Sequence, residues 1–364
     1  MTPLPFLGLG TAVPPFSIQQ PAAAELASRL HVSRGEERLV SIAYRRSGVN
    51  SRHSVVLEGP VTDEVPQSFY PAALDDLDLG PTTGERIRRY EQEAAKLVRA
   101  AVTNALRDSG VTAAQITHLI TVSCTGFSAP GFDLQLMRDF KLRPGVSRTH
   151  LGFMGCHGLL NGLRVAGAYH AADPSAKVLV VALEVCTVHQ QYTSDPGQVI
   201  ANALFADGAA AIVCGTPTPG QSPGWKLLRN GSHVVANSED AMSWRIGDHG
   251  FAMTLAPSVP KLIGELLRPW LTEWLGKTGR QLADIRQWAV HPGGPKILQA
   301  VQDCLELPKD ALAVSHRVLS EFGNMSSPTL AFILQRLQSA PAGGPCVMLG
   351  FGPGLTIEAA LLEG

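Results

Sequence analysis

Short apolar runs alternate with long amphipathic segments along this sequence, and the alternation restricts the fold more than any other feature. Each run has the length of a buried strand, is too short for a helix and is bounded by turn residues. The runs cover residues 119–122, 178–183, 209–213, 288–290 and 346–349. Strands that alternate with helices predict an α/β fold built from packed layers.

The intervening segments and a weak internal repeat indicate how the chain is divided. Residues 91–108 and 260–275 have apolar side chains at helical spacing, and Pro269 predicts a kink or break in the second helix. The order strand, glycine turn, strand, strand occurs twice, which suggests a duplicated fold. Residues 216–224 are rich in proline and glycine and form the best candidate linker. We therefore expect an N-terminal half, 1–215, and a C-terminal half, 225–364.

The composition excludes several classes of protein. Of the 364 residues, 45% are apolar and 17% are charged, and the net charge is -1, which excludes a mainly disordered chain and disfavours a nucleic-acid binder. No apolar stretch is long enough to span a membrane, and the N-terminus lacks the pattern of a signal peptide, so we expect a cytoplasmic protein. Six cysteines without a CxxC pair predict neither a disulfide scaffold nor a metal site.

The strongest candidate for a reactive group is Cys156, in the sequence GCHG. A helical pattern follows, so Cys156 lies at a helix N-terminus, where the partial positive charge lowers the pKa of a thiol. The flanking glycines permit a tight turn and close approach of a substrate. The alternative is a buried structural cysteine in a glycine-rich bend. We expect a structural role for the adjacent His157, because neighbouring side chains at a helix start point in different directions.

Three further glycine-rich turns could contribute to a site. His291 follows a predicted strand in HPGGP, at the end of a strand where ligand sites collect in α/β sheets. Asn324, in GNMSSPT, precedes a predicted helix at 330–337 and could instead be a simple N-cap. The turn GFGPG at 350–354 marks a sharp bend or a close approach, and it is not a dinucleotide loop because a strand follows it.

Together these turns supply a cysteine, a histidine and an asparagine. A thiolate nucleophile is activated by a neighbouring histidine, and a reacting thioester needs donors for its developing oxyanion. The histidine and the asparagine amide supply such donors. The set therefore predicts acyl-transfer chemistry on a cysteine.

The motifs GFMGCHGLLNGLRVA, HPGGPKIL, FGNMSSPT and GFGPGLTIE resemble those of the type III polyketide synthases, the chalcone synthase-like family. The resemblance covers nearly the whole chain. It implies the thiolase fold, a duplicated αβαβα five-layered sandwich, with the cysteine in the first half and the histidine and asparagine in the second. It further implies a homodimer that uses malonyl-CoA and acyl-CoA thioesters as substrates and needs no metal and no other cofactor.

The resemblance also implies roles for individual residues. Cys156 matches the nucleophile that holds the starter and the growing chain, and His291 and Asn324 match the pair that activates the thiol and drives malonyl-CoA decarboxylation. Phe205 matches a gatekeeper between the coenzyme A tunnel and the cavity. Candidates for binding the coenzyme A phosphates are Arg46, Arg45 beside it, and Lys296.

The sequence departs from the plant members of the family around the predicted cavity. Met253 stands where they have a second gatekeeper phenylalanine, and Trp244 stands where they have a glycine. Cys124 and Thr125 occupy two cavity positions, and Cys186 lies at the end of a strand that lines the pocket. These features resemble bacterial enzymes that make alkylresorcinols, alkylpyrones or tetrahydroxynaphthalene.

The sequence thus predicts a type III polyketide synthase that extends an acyl-CoA starter, preferably a fatty acyl-CoA, with malonyl-CoA and cyclises the product to an alkylpyrone or alkylresorcinol. One alternative is a tetrahydroxynaphthalene-type synthase primed by malonyl-CoA. Another is an initiating ketoacyl-acyl-carrier-protein synthase, which HPGGPKIL and GFGPG disfavour. A third is an inactive paralogue that only binds. Starter length, number of extensions and ring closure depend on the cavity.

Overall fold

The computed structural model describes residues 2–30, 34–62, 64–75, 77–338 and 343–364. The strands are β1 Leu4–Ala12, β2 Ser17–Gln19, β3 Ser51–His53, β4 His118–Ser123, β5 Ser147–Gly152, β6 Val178–Val185, β7 Asp207–Cys214, β8 Trp225–Val234, β9 Met242–Gly247, β10 Gly250–Leu255, β11 Gln287–Val290, β12 Pro345–Gly352 and β13 Thr356–Glu363. The helices are α1 Gln20–Ser28, α2 Arg34–Arg46, α3 Thr83–Ser109, α4 Phe132–Asp139, α5 Gly158–Ala172, α6 Pro196–Leu204, α7 Val259–Gly276, α8 Pro295–Leu305, α9 Ala313–Phe322 and α10 Thr329–Gln338.

Nine strands form one mixed sheet in the order β11-β12-β13-β8-β1-β7-β6-β4-β5. Strand β4 is parallel to β6, and the steps from β6 to β7 and from β7 to β1 are antiparallel. The other half repeats this pattern, because β11 is parallel to β12 and the steps to β13 and β8 are antiparallel. The duplication expected from the sequence is therefore present in the topology. The exact limits of the two halves, 1–215 and 225–364, stay a prediction.

Alternate residues along the strands contact different helix layers. In β6, Val180 packs in a core with α5 and α10, whereas Val181 packs against α3 on the opposite face. In β12, Met348 belongs to that same central core, whereas Leu349 packs with α7 and α8. The order of layers is thus helix, sheet, central helices, sheet, helix. This is the five-layered α/β sandwich that the resemblance implied.

The elements expected from the sequence are all present, and one detail differs. Each of the five apolar runs lies inside a strand, and the two amphipathic segments lie inside α3 and α7. Pro269 does not end α7, which continues to Gly276 because a buried apolar face holds it against the sheet. Among the described residues, no helix has the length and apolar character needed to cross a membrane.

An ion pair between a buried carboxylate and a partly exposed arginine joins the central helix α5 to the C-terminal part of the sheet. The carboxylate of Glu358, in β13, is 2% exposed and pairs with Arg164 of α5. It also accepts hydrogen bonds from Ser232 Oγ at 2.7 Å and Asn161 Nδ2 at 3.2 Å. Because a buried carboxylate is costly unless it is paired and hydrogen-bonded, these contacts fix how α5 lies on the sheet.

Two glycines of β1 allow the long helix α3 to lie directly on the sheet. A Cβ atom at Gly8 would overlap the backbone of Ser109, and one at Gly10 would overlap the backbone of Ala101 and Ala105. Gly167 in α5 differs, since a Cβ there would meet no atom within 4 Å. The sequence LGLG at residues 7–10 is therefore a packing surface for α3.

We expect Gly10→Ala to lower the free energy of unfolding by about 1–3 kcal/mol, because the added methyl group forces α3 away from β1. The matched control, Gly167→Ala, should raise it by about 0.5–1 kcal/mol, because alanine is the better helix former and has room. Urea denaturation followed by circular dichroism measures both. Equal effects of the two substitutions would contradict the close contact between α3 and β1.

Candidate active site

Cys156 lies in a single 3-10 turn, Gly155–His157, that leads directly into α5. Gly155 has a φ of 69°, which favours glycine, and a Cβ atom there would lie 2.5 Å from Pro353 Cδ. The turn is thus pressed against the loop between β12 and β13. The sequence correctly predicted a cysteine at a helix start, and the GFGPG turn is one of the surfaces that hold it.

His157 has the structural role expected for it. Its Nδ1 hydrogen-bonds with Asn161 Oδ1 at 2.7 Å, one turn along α5. Its ring lies against the backbone of β12, where a Cβ atom at Gly352 would come within 2.5 Å of His157 Nε2 and one at Gly350 within 2.9 Å of its Cβ. The close approach that GFGPG indicated is therefore the contact with His157.

His291 is the first residue after β11, and its backbone N–H donates to the carbonyl of Leu349 at 2.8 Å. The residue is 1% exposed, and neither ring nitrogen has a hydrogen-bond partner among the described residues. Burial, with a smaller effect of nearby His157, lowers the pKa of His291 to about 3. The imidazole is therefore neutral and has both nitrogens available for a reacting group.

Asn324 is held by its backbone and by its side-chain oxygen. Its N–H donates to the carbonyl of Leu204, and its carbonyl accepts from the N–H of Ala206, both at 2.9 Å. Its Oδ1 accepts from the backbone N–H of Ser326 at 2.8 Å, which directs the amide nitrogen elsewhere. Since α10 begins only at Thr329, Asn324 is not the N-cap of that helix.

The environment of Cys156 differs from the sequence-based expectation of a lowered pKa. Burial raises the pKa of this thiol to about 12, although hydrogen bonds with Ser326 and Asn324 act in the opposite direction. Loss of hydration therefore outweighs these hydrogen bonds. With neutral His291 beside it, the resting site contains a thiol and an imidazole, and a thiolate forms only when the proton moves to a base.

The proposed catalytic residues share one pocket. Cys156, His291, Asn324 and Phe205 all line it, on a wall that Met253 also joins. Phe205 is the residue between Leu204 and Ala206, so the backbone pairing described above places it directly beside Asn324. Cys156 and Asn324, which are far apart in the sequence, thus meet at one cavity.

A second pocket continues from the first on the other side of Cys156. Its lining contains every cavity residue singled out in the sequence, namely Cys124, Thr125, Cys186, Phe205, Trp244 and Met253. Trp244 is fixed by a hydrogen bond from its Nε1 to the carbonyl of Cys124 at 2.7 Å. It also lines a third small pocket with His189 and Gln198, so its indole ring separates that space from Cys156.

The sequence reasoning missed a buried carboxylate beneath the site. Glu184 is fully buried and accepts hydrogen bonds from the N–H of Cys124 at 3.0 Å, Thr125 Oγ1 at 2.8 Å and Ser327 Oγ at 2.9 Å. Burial raises its pKa to about 7. An acidic residue inside the otherwise apolar run VLVVALEV was the signal that could have identified it.

The candidate coenzyme A residues lie outside the pocket. Arg45 and Arg46 are exposed in the last turn of α2, and Lys296 is exposed in the first turn of α8. A Cβ atom at Gly48 would lie 2.7 Å from Pro295 Cγ, so the two helix ends are adjacent. The three cations therefore lie on the same side of the protein as Ile297, which lines the pocket of Cys156.

Comparisons with known proteins agree with this architecture. Residues 3–218 match the N-terminal domain, and residues 226–364 the C-terminal domain, of the chalcone and stilbene synthases. The chain is 32% identical over 364 residues to the alpha-pyrone synthesis polyketide synthase-like Pks18 of Mycobacterium tuberculosis, covering 98% of this chain and 90% of that protein. It is 32% identical over 359 residues to a 1,3,6,8-tetrahydroxynaphthalene synthase of Streptomyces peucetius, covering 97% and 91%.

Solved structures extend the likeness to the fold. The structure of PKS-I from the brown alga Ectocarpus siliculosus superimposes with a TM-score of 0.90 at 28% identity, covering 99% of this chain and 98% of that chain. A type III pentaketide synthase from Neurospora crassa gives 0.87 at 27% identity, covering 99% of each chain. With both domains matched and the layered fold shared, this chain belongs to the chalcone and stilbene synthase family and is a type III polyketide synthase, an acyltransferase.

Proposed function

We propose that this enzyme loads a medium- or long-chain fatty acyl-CoA onto Cys156, extends it with malonyl-CoA and releases an alkylpyrone or alkylresorcinol. The observation that carries the proposal is the second, mostly apolar pocket beside Cys156, which Trp244 and Met253 enclose. The relative named for alpha-pyrone synthesis supports this product class. The relative named for tetrahydroxynaphthalene synthesis supports the alternative, in which malonyl-CoA itself is the starter.

In the loading step, His291 takes the proton of the Cys156 thiol as sulfur attacks the thioester carbonyl of the starter. The tetrahedral oxyanion then collapses, the acyl group stays on sulfur, and coenzyme A leaves as its thiol with the proton returned. Because both groups are buried and neutral at rest, the ion pair between thiolate and imidazolium forms where little water competes.

In the extension step, malonyl-CoA loses carbon dioxide, and the electron pair of the broken bond forms an enolate on its thioester oxygen. Nε2–H of His291 and the amide N–H of Asn324 donate to that oxygen. The enolate carbon attacks the acyl carbonyl carbon held on Cys156. The bond between that carbon and the sulfur breaks, and Cys156 becomes a thiolate that is ready for the next transfer. The same two donors serve loading and decarboxylation.

The starter preference follows from the shape and chemistry of the pocket. Met253 is a flexible side chain that accommodates a bound chain, and Cys124 and Cys186 are small. Each buried methylene contributes about 0.8 kcal/mol, so longer chains bind progressively better until the pocket is filled. Trp244 occupies the volume that a bulky aromatic starter needs, and its hydrogen bond to Cys124 keeps it there.

Two further features belong to the same proposal. Arg45, Arg46 and Lys296 bind the phosphates of coenzyme A at the side of the protein where the substrate enters. The enzyme forms a homodimer in the cytoplasm. The contact between the two subunits includes β5, because β5 is one edge of the sheet and the exposed side chains of Phe127 and Phe153 lie next to each other nearby.

His291→Ala should leave the Cys156 thiol without a base. Since burial raises the pKa of this thiol far above neutrality, its alkylation by iodoacetamide should be slow near pH 7 and rise about tenfold per pH unit up to about pH 10. The wild-type enzyme should react faster at pH 7 and depend less on pH. Peptide mass spectrometry identifies the modified cysteine, and Cys156→Ala, which should also abolish condensation, is the control. Identical pH profiles of wild type and His291→Ala would contradict the proton transfer.

Asn324→Ala should lower the decarboxylation of malonyl-CoA about 10²–10³-fold even without a starter, because one oxyanion donor is lost. Release of acetyl-CoA, followed by chromatography, measures this step alone. Asn324→Asp, with the same size and one oxygen in place of the donor nitrogen, is the matched control and should be equally slow. Unchanged release by Asn324→Ala would show that another group binds the enolate.

The starter is tested by comparing kcat/KM for hexanoyl-, decanoyl- and palmitoyl-CoA with turnover of malonyl-CoA alone. We expect a fatty acyl-CoA to give the highest value, and mass spectrometry to identify its pyrone or resorcinol. Trp244→Gly should admit an aromatic starter such as coumaroyl-CoA, whereas Trp244→Phe, which keeps the bulk, should not. If only malonyl-CoA is turned over, the tetrahydroxynaphthalene-type alternative holds.

A further inference from the structure

Arg52, in β3, is one of the largest fully buried side chains, and the chemistry described above does not use it. It is 2% exposed, and its Nη1 donates to the carbonyl of Asn202 at 2.6 Å and to the carbonyl of Phe205 at 2.8 Å. Its guanidinium lies 5.3 Å from the ring centre of Tyr44. Burying a guanidinium is costly unless it is hydrogen-bonded, and the two carbonyls offset that cost.

The two carbonyls belong to the end of α6. Asn202 lies in the last turn of this helix and Phe205 is its C-cap, so a cation there interacts favourably with the negative end of the helix. Tyr44 adds a second contact to the same place, since its hydroxyl donates to the carbonyl of Asn202 at 3.3 Å. Arg52 and Tyr44 together fix the end of α6 from outside the pocket.

The end of α6 in turn fixes Asn324. The residues on either side of Phe205, Leu204 and Ala206, exchange two backbone hydrogen bonds with Asn324, both at 2.9 Å. Gly323 also packs on the arginine, because a Cβ atom there would lie 3.4 Å from Arg52 Cβ. One short piece of backbone, 204–206, is therefore held by Arg52 on one side and holds Asn324 on the other.

We propose that Arg52 is a positioning residue that acts through the backbone of Phe205 to hold the Asn324 amide where the enolate oxygen forms. The proposal rests on the donor role proposed above for Asn324. Arg52 touches no substrate, and its effect on decarboxylation disappears when the Asn324 amide is absent. This dependence separates it from an arginine that only stabilises the fold.

The experiment is a double-mutant cycle on malonyl-CoA decarboxylation. We expect Arg52→Met to lower kcat by about 10²-fold and to change KM by less than about threefold, because the donor is displaced and substrate binding is kept. Arg52→Lys, which keeps a donor and the charge, should recover at least about tenfold of that loss. In the Asn324→Ala background, Arg52→Met should lower the remaining rate by less than about threefold.

Arg86 offers a matched control. It is also fully buried, its Nη1 donates to the carbonyls of Val188 and Gln190 at 2.7 and 2.8 Å, and it lies 5.4 Å from the ring centre of Tyr70. Its hydrogen bonds are to Pro81, Tyr70, Val188 and Gln190, and none of these is Asn324 or one of residues 204–206. Any loss of rate in Arg86→Met should therefore be the same factor in the wild-type and Asn324→Ala backgrounds.

Three results would overturn the proposal. Arg52→Met could slow Asn324→Ala by the same factor as wild type, which would make Arg52 a general structural residue while leaving the role of Asn324 intact. Asn324→Ala could decarboxylate normally, which would remove both roles. If Arg52→Met lacks the circular dichroism spectrum of the native protein, Arg52→Lys takes its place. It should then lower kcat for decarboxylation about tenfold in the wild-type background and not at all in the Asn324→Ala background. Equal losses of kcat in the two backgrounds would overturn the proposal.

Discussion

The central helices α5 and α10 are the constraint on which the rest of the structure depends. Each packs between the two halves of the sheet, so both halves bury one face against the same pair of helices. Strands covered on both faces are almost wholly apolar, as the fully buried β6 and β7 show. The candidate reactive groups lie where elements end: Cys156 in the turn before α5, His291 directly after β11 and Asn324 in the segment before α10.

The site is assembled across the two halves by backbone contacts. The nucleophile enters from the start of α5, and its turn is held against Pro353 of the second half. Asn324 is paired with residues 204–206 of the first half. Because main-chain hydrogen bonds and close glycine contacts set these positions, the geometry depends little on side-chain rotamers. This rigidity suits oxyanion donors, which act best when they are already in place before charge develops.

Burial determines how the reactive groups behave. It raises the pKa of the thiol and lowers that of His291, so the pair holds a single proton over a wide pH range. It also raises the pKa of Glu184, whose oxygens are bound by donors from Cys124, Thr125 and Ser327. Burial therefore favours the uncharged thiol and the uncharged imidazole, and it limits the access of water to both groups.

The sequence by itself determined the layered α/β fold, because short apolar runs alternate with amphipathic segments at helical spacing, and this alternation predicts strands packed against helices. Local motifs at the ends of elements also singled out Cys156, His291 and Asn324, and the resemblance to the type III polyketide synthases added the cavity residues. For Glu184 the sequence contained only the signal of an acidic residue inside an apolar strand, because it is the packing of three separate segments that surrounds the carboxylate with donors. The pKa of Cys156 was expected to fall and instead rises, because the degree of burial is a property of the whole fold. Tertiary structure alone decided which distant backbone segments meet, as 204–206 and Asn324 do.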